Sequence, residues 1–169
     1  MKNSSIIEKV LSRRVFDSRG NPAIETEIIT KSGAHGRAIS PSGASTGKNE
    51  AIEIRDKDER YNGKDVKKGL ELINNEIASL LIGLSCEDQE GFDKILINYD
   101  QTRQKKRIGG NVSTSLSIAN YLCASNLNKT PAFRFYAKSD RLKIPKPEIQ
   151  IFGGGAHSGN QNSFQDFLI

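Results

Sequence analysis

The strongest constraint on the fold is a change of hydrophobic period part-way along the chain. Over residues 6–39, turn-forming segments separate three short strand-like runs, and the second run, residues 23–30, alternates between two kinds of side chain. From residue 66 onward the apolar residues instead recur every three or four positions. A period of two is typical of strands and a period near 3.6 is typical of helices. The first part therefore predicts a sheet, and the second part predicts a layer of helices.

Short turns join the three predicted strands. Residues 17–22 (Asp-Ser-Arg-Gly-Asn-Pro) and the Ser32-Gly33 pair are both rich in turn formers. Connections this short join strands that run in opposite directions, so we predict an antiparallel meander. In the second strand Glu25 and Glu27 alternate with Ile24, Thr26 and Ile28, which predicts one buried and one solvated face. The predicted strands cover residues 6–16, 23–30 and 34–39.

The second part predicts three amphipathic helices and a short fourth helix over residues 131–137. Ser85 and Asp88 resemble a capping box at the start of the second helix. The predicted apolar faces comprise Val66, Leu70, Ile73, Ile77 and Leu80 in the first helix, Phe92, Ile95, Leu96 and Tyr99 in the second, and Val112, Leu116, Ala119 and Cys123 in the third. Residues 1–140 are thus predicted to form an α+β domain in which a three-stranded sheet is followed by a helical layer.

Composition places the chain among soluble globular proteins of about one domain. No apolar run approaches the length of a membrane span, and no apolar signal begins the chain, so we expect a cytoplasmic protein. The two cysteines, Cys86 and Cys123, lie in separate predicted helices without metal-ligand spacing. We therefore expect reduced thiols.

The net charge of +5 permits contact with nucleic acid or anionic metabolites. Lysines and arginines are spread along the chain, and their one concentration comprises Arg103, Lys105, Lys106 and Arg107. This cluster precedes two glycines and lacks aromatic neighbours on which bases could stack. We interpret it as a mobile charged loop, and we expect a solvated basic surface rather than a nucleic-acid partner.

The last 29 residues differ from the rest. Two prolines in residues 144–147 favour an extended, linker-like backbone. Residues 148–152 then predict a strand, followed by three glycines and an apolar end. An apolar strand needs neighbours on both edges, and the sequence stops before supplying them. Residues 141–169 therefore predict the start of a second domain whose remainder is missing.

Residues 41–47 (Pro-Ser-Gly-Ala-Ser-Thr-Gly) place three hydroxyls between two glycines. The segment has no large apolar side chain, so it cannot contribute to a core. It can bend freely and bring hydroxyl and backbone N–H groups to an oxyanion or a hard cation. The alternative is an ordinary Ser/Gly turn between a strand and a helix.

Three segments together resemble the enolases, the phosphopyruvate hydratases of glycolysis. They are residues 17–22, residues 41–47, and residues 154–157 (Gly-Gly-Ala-His) with Gln165-Asp166-Phe167. The charged run over residues 50–56 and the Gly110-Asn111 helix start resemble the same family. The resemblance covers nearly the whole chain, in order. It implies an N-terminal capping domain over residues 1–140 and the truncated start of an α/β barrel over residues 141–169.

The resemblance also implies a role for the Ser/Gly segment. In the family this segment is a mobile loop that closes over the substrate; here it comprises Ser42, Gly43, Ala44, Ser45, Thr46 and Gly47. Ser45 matches the serine that faces the substrate and whose hydroxyl and carbonyl oxygens ligate the second Mg²⁺ ion. From the residues alone, Ser45 could equally be a turn hydroxyl bonded to its own backbone.

Three matched positions lie near the end of the chain. His157 matches a histidine that reaches the substrate phosphate from a second mobile loop, and Gln165 matches a neighbouring active-site glutamine. Asp166 matches a glutamate that acts at the leaving hydroxyl, which is general-acid work. From the residues alone, His157 could be a solvated loop histidine.

Arg19 matches an arginine of the capping domain that lies near the active site. From the residues alone, Arg19 could instead be a turn arginine that pairs with Asp17 or Glu25.

The sequence departs from the family at three of its matched positions. Asp166 is one methylene shorter than the usual glutamate, Gly153 replaces the usual asparagine, and Ala156 stands where several members have serine. These departures leave open an enolase-like paralogue that acts on another phosphorylated or phosphonate acid, as carboxyphosphonoenolpyruvate synthases do.

The family's lysine base, the three carboxylates that hold its first Mg²⁺ ion, a second glutamate and its main phosphate-binding arginine would all lie beyond Ile169. A complete barrel takes about 250 residues. The implied function is therefore Mg²⁺-dependent dehydration of 2-phosphoglycerate to phosphoenolpyruvate when the chain is joined to a barrel, and we expect the chain alone to be inactive.

The expected partners are the small phosphorylated acid, a separate barrel chain and, as in the family, further copies in a homodimer or larger assembly. A non-catalytic binding protein that retains the capping domain is the third alternative, with its basic surface as the contact.

Overall fold

The computed structural model describes residues 4–43, 47–137, 139 and 141–169, with residues 156 and 157 described by their backbone only. The chain divides into two compact units, Met1–Tyr136 and Ala137–Ile169. The first unit confirms the predicted α+β class, with a three-stranded antiparallel sheet followed by helices. No helix in the described part of the chain combines the length and apolar character needed to cross a bilayer.

The sheet follows the predicted meander. Its strands are β1 (Ile7–Phe16), β2 (Pro22–Thr30) and β3 (His35–Ser40), and β2 lies between the other two. Both connections include a glycine in the left-handed region, Gly20 (φ 74°) and Gly33 (φ 84°), a conformation that other residues rarely adopt. Tight turns therefore set the order of the strands.

The prediction of a half-exposed β2 is wrong for Glu25, which is buried. Arg13 on β1 and Arg37 on β3 both pair with its carboxylate, and Arg13 also pairs with Glu27 at 2.9 Å. The hydrogen bond to Glu25 raises the pKa of the exposed Arg13. Long side chains from the two flanking strands thus cover the outer face of the central strand.

The first helical segment runs without a break through α1 (Lys67–Leu72), a π-helical turn (Ile73–Ile77) and α2 (Ala78–Leu81). Its start is capped from a distance, because the Asp56 carboxylate accepts hydrogen bonds from the backbone N–H of Lys67 and Lys68, each at 2.9 Å. A π turn is wider than an α turn and rotates the residues that follow it. Leu81 is therefore buried and Leu80 exposed, so the predicted place of Leu80 on the apolar face is wrong.

The remaining helices of this unit are α3 (Gln89–Asp100), α4 (Gly110–Leu127) and α5 (Ala132–Phe135). The cap of α3 differs from the predicted capping box. Asp88 is the N-cap and accepts a hydrogen bond from Gly91 N at 2.9 Å, whereas the Ser85 hydroxyl donates to Ser5 Oγ. The predicted apolar faces of α3 and α4 are confirmed: each of their residues is buried or packs against the core.

Helix α4 lies close against the sheet. A Cβ atom at Gly36 of β3 would lie 2.1 Å from the backbone nitrogen of Cys123. Cys123 is buried in α4, while Cys86 is buried in the turn before α3 rather than in a helix as predicted. Both cysteines are free thiols. The neighbouring Cys86 thiol raises the pKa of Cys123, and burial raises it further.

The second unit contains a two-stranded antiparallel hairpin of β4 (Gln150–Gly153) and β5 (Asp166–Leu168). A 3₁₀ turn over Gly155–Ser158 follows β4. Backbone hydrogen bonds between Ile149 and Ile169 extend the pairing to the last residue.

Candidate functional site

The turn after β1 is shaped by the Asp17 carboxylate. It accepts hydrogen bonds from the backbone N–H of Arg19 at 2.9 Å and of Asn21 at 2.8 Å. The bond from Asn21 has the largest effect in lowering the pKa of Asp17, because a carboxylate that accepts N–H groups is stabilised in its ionised form. This local ring of hydrogen bonds fixes the backbone from which the Arg19 side chain extends.

The Arg19 guanidinium donates through Nη2 to the backbone carbonyl of Ser42. The side chain therefore contacts the start of the Ser/Gly segment, in addition to the backbone contact that Arg19 makes with Asp17. Of the predicted site residues, Arg19 and Ser42 are thus brought together. Ala44, Ser45 and Thr46 lie outside the described residues.

The Ser42 side chain contacts Glu53, which in turn pairs with Arg55. Its hydroxyl donates to Glu53 Oε2 at 3.1 Å. Arg55 holds the same oxygen through Nε at 2.9 Å and Nη2 at 2.7 Å. The third nitrogen of Arg55, Nη1, donates to the carbonyls of Pro22 at 2.6 Å and Lys64 at 2.7 Å. Arg55 therefore ties the Ser/Gly segment to the end of the first turn.

The segment that carries Glu53 and Arg55 is anchored on α4. The amide group of Asn111 accepts a hydrogen bond from Ile54 N and donates one to Ile54 O, both at 3.0 Å. A single side chain thereby satisfies both backbone groups of a residue that belongs to no regular element. The start of α4, at Gly110 and Asn111, thus fixes the position of the backbone between Glu53 and Arg55.

Sequence reasoning did not identify Glu53 and Arg55 as site residues. Their opposite charges at a spacing of two, outside any helix, were the available signal, because alternate residues of an extended segment point to the same side.

A cavity of about 300 Å³ lies beside this network. It is lined by Ser42, Gly43, Gly47, Glu50, Ala51, Ile52, Glu53 and Gln104. Two glutamates and a hydroxyl thus face one space. Glu53 Oε2, however, already accepts the Ser42 hydroxyl and the Arg55 guanidinium.

The described residues do not form a magnesium site of their own. Nowhere among them do three histidine, cysteine, aspartate or glutamate side chains come close enough to hold a metal ion. A hard cation such as Mg²⁺ requires several oxygen ligands. The assignment of Ser45 as a Mg²⁺ ligand therefore stays a prediction.

The hairpin of the second unit carries the other predicted residues. The Asp166 carboxylate accepts hydrogen bonds from Gln150 Nε2 at 2.6 Å and from Gln165 Nε2 at 3.4 Å. Gln165 and Asp166 are therefore brought together, and Gln150 is an additional partner that sequence reasoning missed. The backbone of His157 lies in the 3₁₀ turn.

The glycine run before His157 has a steric cause. A Cβ atom at Gly154 would lie 1.9 Å from the carbonyl oxygen of Phe164. Gly154 N also donates to the carbonyl of Gln165 at 2.6 Å. Two backbone segments therefore meet where any larger residue would separate them.

The first unit is thus an α+β domain in which a three-stranded meander is followed by helices and the Ser42 carbonyl is bonded to Arg19 of the first turn. The family described as "Enolase, N-terminal domain" matches residues 7–136. Enolase 1 of Desulfitobacterium hafniense (strain Y51) is 44% identical over 163 residues, which cover 96% of this chain and 37% of that relative. The chain belongs to the enolase family, and it spans little more than a third of the length of this relative.

Proposed function

We propose that this chain is the capping part of an enolase-family lyase that dehydrates 2-phosphoglycerate to phosphoenolpyruvate in cytoplasmic glycolysis. The observation that carries the proposal is the hydrogen-bond network that joins Arg19, Ser42, Glu53 and Arg55, at the positions where the family places its closing loop. In this proposal the complete enzyme uses Mg²⁺, acts on a small phosphorylated acid and forms a homodimer or larger assembly.

The network supports a loop that is anchored at both ends, because Gln104 also donates to the carbonyl of Lys48, just after the segment. Hydrogen bonds hold both the carbonyl and the hydroxyl of Ser42, while Gly43 and Gly47 impose little conformational restriction of their own. In the proposal, residues 42–47 close over the substrate, and exclusion of water strengthens the electrostatic interactions around it. Ser45 would present its hydroxyl and carbonyl oxygens to the second Mg²⁺ ion and face the substrate.

For residues 141–169 we propose the start of the family's barrel, with residues 1–140 as the capping domain. Large apolar side chains of the hairpin region are exposed, including Ile144, Phe152, Phe164 and Ile169. Exposed apolar surface of this kind marks a site of packing against another surface. A barrel, supplied by the same or a separate chain, would provide it.

The remaining roles in the proposal fall on the hairpin. His157 would donate a hydrogen bond to the substrate phosphate. Asp166 would act at the leaving hydroxyl, with Gln165 and Gln150 orienting its carboxyl group. The hydrogen bond from Arg19 to the Ser42 carbonyl would keep the Arg19 side chain next to the substrate.

A specific observation favours a second candidate, a paralogue with a different acid substrate. Gly153 and Asp166, two of the departures from the family, are direct cross-strand partners. A Cβ atom at Gly153 would lie 2.9 Å from Gln150 Nε2, the group that holds Asp166. The small residue, the glutamine and the shorter carboxylate therefore fit together as one set. Such a set would move the acid group back and leave room for a different substrate.

The test joins residues 1–169 to the remaining part of Enolase 1 from Desulfitobacterium hafniense and follows the absorbance of the enolpyruvate product. We expect no turnover from residues 1–169 alone and turnover from the joined protein, with a kcat at least tenfold lower in Ser45→Ala. Ser79→Ala, at an exposed helical serine, is the matched control and should leave kcat unchanged.

Replacement of Asp166 by Glu in the joined protein separates the two candidates. A rise in activity with 2-phosphoglycerate of at least tenfold supports the paralogue, because the longer carboxyl then restores the family's reach. An unchanged or lower activity supports the enolase. A folded joined protein without turnover, with either residue at position 166, contradicts the primary proposal.

A further inference from the structure

The loop with the four clustered cations is held in one conformation by a buried carboxylate. Asp100, the last residue of α3, accepts hydrogen bonds from Thr102 N, Arg107 N and Ile108 N at 2.7–2.8 Å and a further one from the Thr102 hydroxyl. A carboxylate with four donors closes this loop firmly. The predicted mobility of this loop stays a prediction, but these hydrogen bonds give its backbone a defined geometry.

The loop is also joined to the segment that follows the Ser/Gly stretch. The Gln104 side-chain amide donates to the carbonyls of Lys48 at 3.1 Å and Glu50 at 3.3 Å. The carbonyl of Gln104 accepts a hydrogen bond from Ile52 N at 2.7 Å. The segment around Gln104 and residues 48–52 are thus hydrogen-bonded to each other, and they form two opposite walls.

A cleft of about 310 Å³ lies between these walls, and we name it the basic cleft. It is lined by Lys48, Asn49, Thr102, Arg103, Gln104 and Lys106. Three of these side chains are cations and none is a carboxylate. The Thr102 hydroxyl and the Gln104 amide already donate within the protein, so Asn49 is the polar side chain that adds a donor. Two acidic residues of the adjoining segments do not line it: Glu50 lines the neighbouring cavity, and Asp100 is buried beneath the loop.

The cations of the basic cleft have no acidic partner within the described part of the chain. Lys48, Arg103 and Lys106 form no ion pair there. The other two cations of the cluster lie elsewhere, because Arg107 stacks over the Tyr99 ring at 5.2 Å and Lys105 lines a different groove beside Asp93. Like charges gathered on a fixed loop repel one another, and a bound anion would relieve that repulsion.

We propose that the basic cleft binds a small phosphorylated anion. An arginine fork suits two phosphate oxygens at once, and lysines supply point charges to the others. The volume lies at the lower end of the range for small-molecule sites, about 300–1,000 Å³. The cleft has no aromatic lining, so it lacks the stacking surface that single-stranded nucleic acid uses. The geometry therefore favours a small ligand over RNA.

Titration of residues 1–169 with inorganic pyrophosphate, by calorimetry at low ionic strength, tests the proposal. The test variant is Lys48→Gln/Arg103→Gln/Lys106→Gln. The control, Lys31→Gln/Lys94→Gln/Arg134→Gln, removes the same residue types and the same charge at exposed positions on other parts of the chain. We expect binding at least tenfold weaker in the test variant and within twofold of the original in the control.

All six substituted side chains are exposed, so both variants should fold, and circular dichroism verifies this. Arg103→Lys gives an independent readout: it keeps the charge and loses the fork, and we expect at least threefold weaker binding. Equal weakening in the two triple variants would mean that only the net charge matters, and it would overturn the proposal. Absence of pyrophosphate binding would also overturn it. If a 20-nucleotide oligouridylate bound more tightly than pyrophosphate, through the same three cations, the proposal would be overturned in favour of RNA.

Discussion

Asp100 shows how hydrogen bonds compensate for the burial of a single charge. Burial disfavours the ionised form, but the hydrogen bonds from Thr102, from Ile108 N and from Arg107 N outweigh it and lower the pKa of Asp100. A carboxylate with a lowered pKa stabilises the fold above its unfolded-state pKa of about 3.9. That contribution is lost as the pH falls through the lower, folded-state value.

Asp100→Asn should reveal this dependence. The amide keeps one acceptor oxygen but turns an NH₂ group toward backbone donors, so we expect a loss of about 2 kcal/mol or more at pH 7. The original chain should lose stability below about pH 4, and the variant should lose less over that interval. Urea unfolding between pH 3 and pH 7 measures both effects. Asp58→Asn, at an exposed aspartate, is the control; equal stability of the Asp100 variant and the original chain at pH 7 would contradict the assignment.

Among the elements, those with an uninterrupted period were predictable. The three strands follow from the turn-forming segments that separate them, and the buried faces of α3 and α4 follow from apolar residues that recur every three or four positions. Leu80 was placed wrongly because the π turn changes the spacing without a sequence signal. Glu25 was placed wrongly because its burial depends on two arginines from other strands.

The segments of the site were predictable from the sequence, but the contacts between them were not. The segments of Arg19 and Ser42 stand out by composition, but their contact joins residues 23 positions apart and depends on the folded sheet. Arg55 donates to backbone carbonyls of two other segments, and no local pattern encodes such bonds. The Gly153 and Asp166 pairing likewise appears only when the register of β4 and β5 is known.

Gly36 sets the distance between the sheet and α4, and Gly36→Ala tests this. The new Cβ would meet Cys123 N at 2.1 Å and Ala119 O at 2.2 Å, and these backbone atoms cannot rotate away. We expect a loss of about 3 kcal/mol in the free energy of unfolding, measured in urea. His35→Ala, at the exposed neighbour on the same strand, should cost less than about 1 kcal/mol. A tolerated alanine at position 36 would mean that strand and helix can separate without cost.

At the scale of the whole molecule, the apolar core and the exposed apolar surface belong to different units. All the core residues of the described chain, and those packed against them, lie between Ile7 and Phe135. The second unit instead consists of a two-stranded hairpin with large exposed side chains. An isolated hairpin is at best marginally stable in water. The stability of this chain should therefore reside in its first unit.

Truncation to residues 1–136 tests that conclusion. We expect a free energy of unfolding within about 1 kcal/mol of the value for residues 1–169, because the core is retained in full. The truncated chain should also bind less of the apolar dye ANS, since Ile144 (96% exposed), Phe164 and Ile169 are removed. Urea unfolding followed by circular dichroism gives the first quantity, and dye fluorescence in the native state gives the second. A loss of more than about 2 kcal/mol would show that residues 137–169 contribute to the stability of the core, and the hairpin would then need no barrel to account for its apolar side chains.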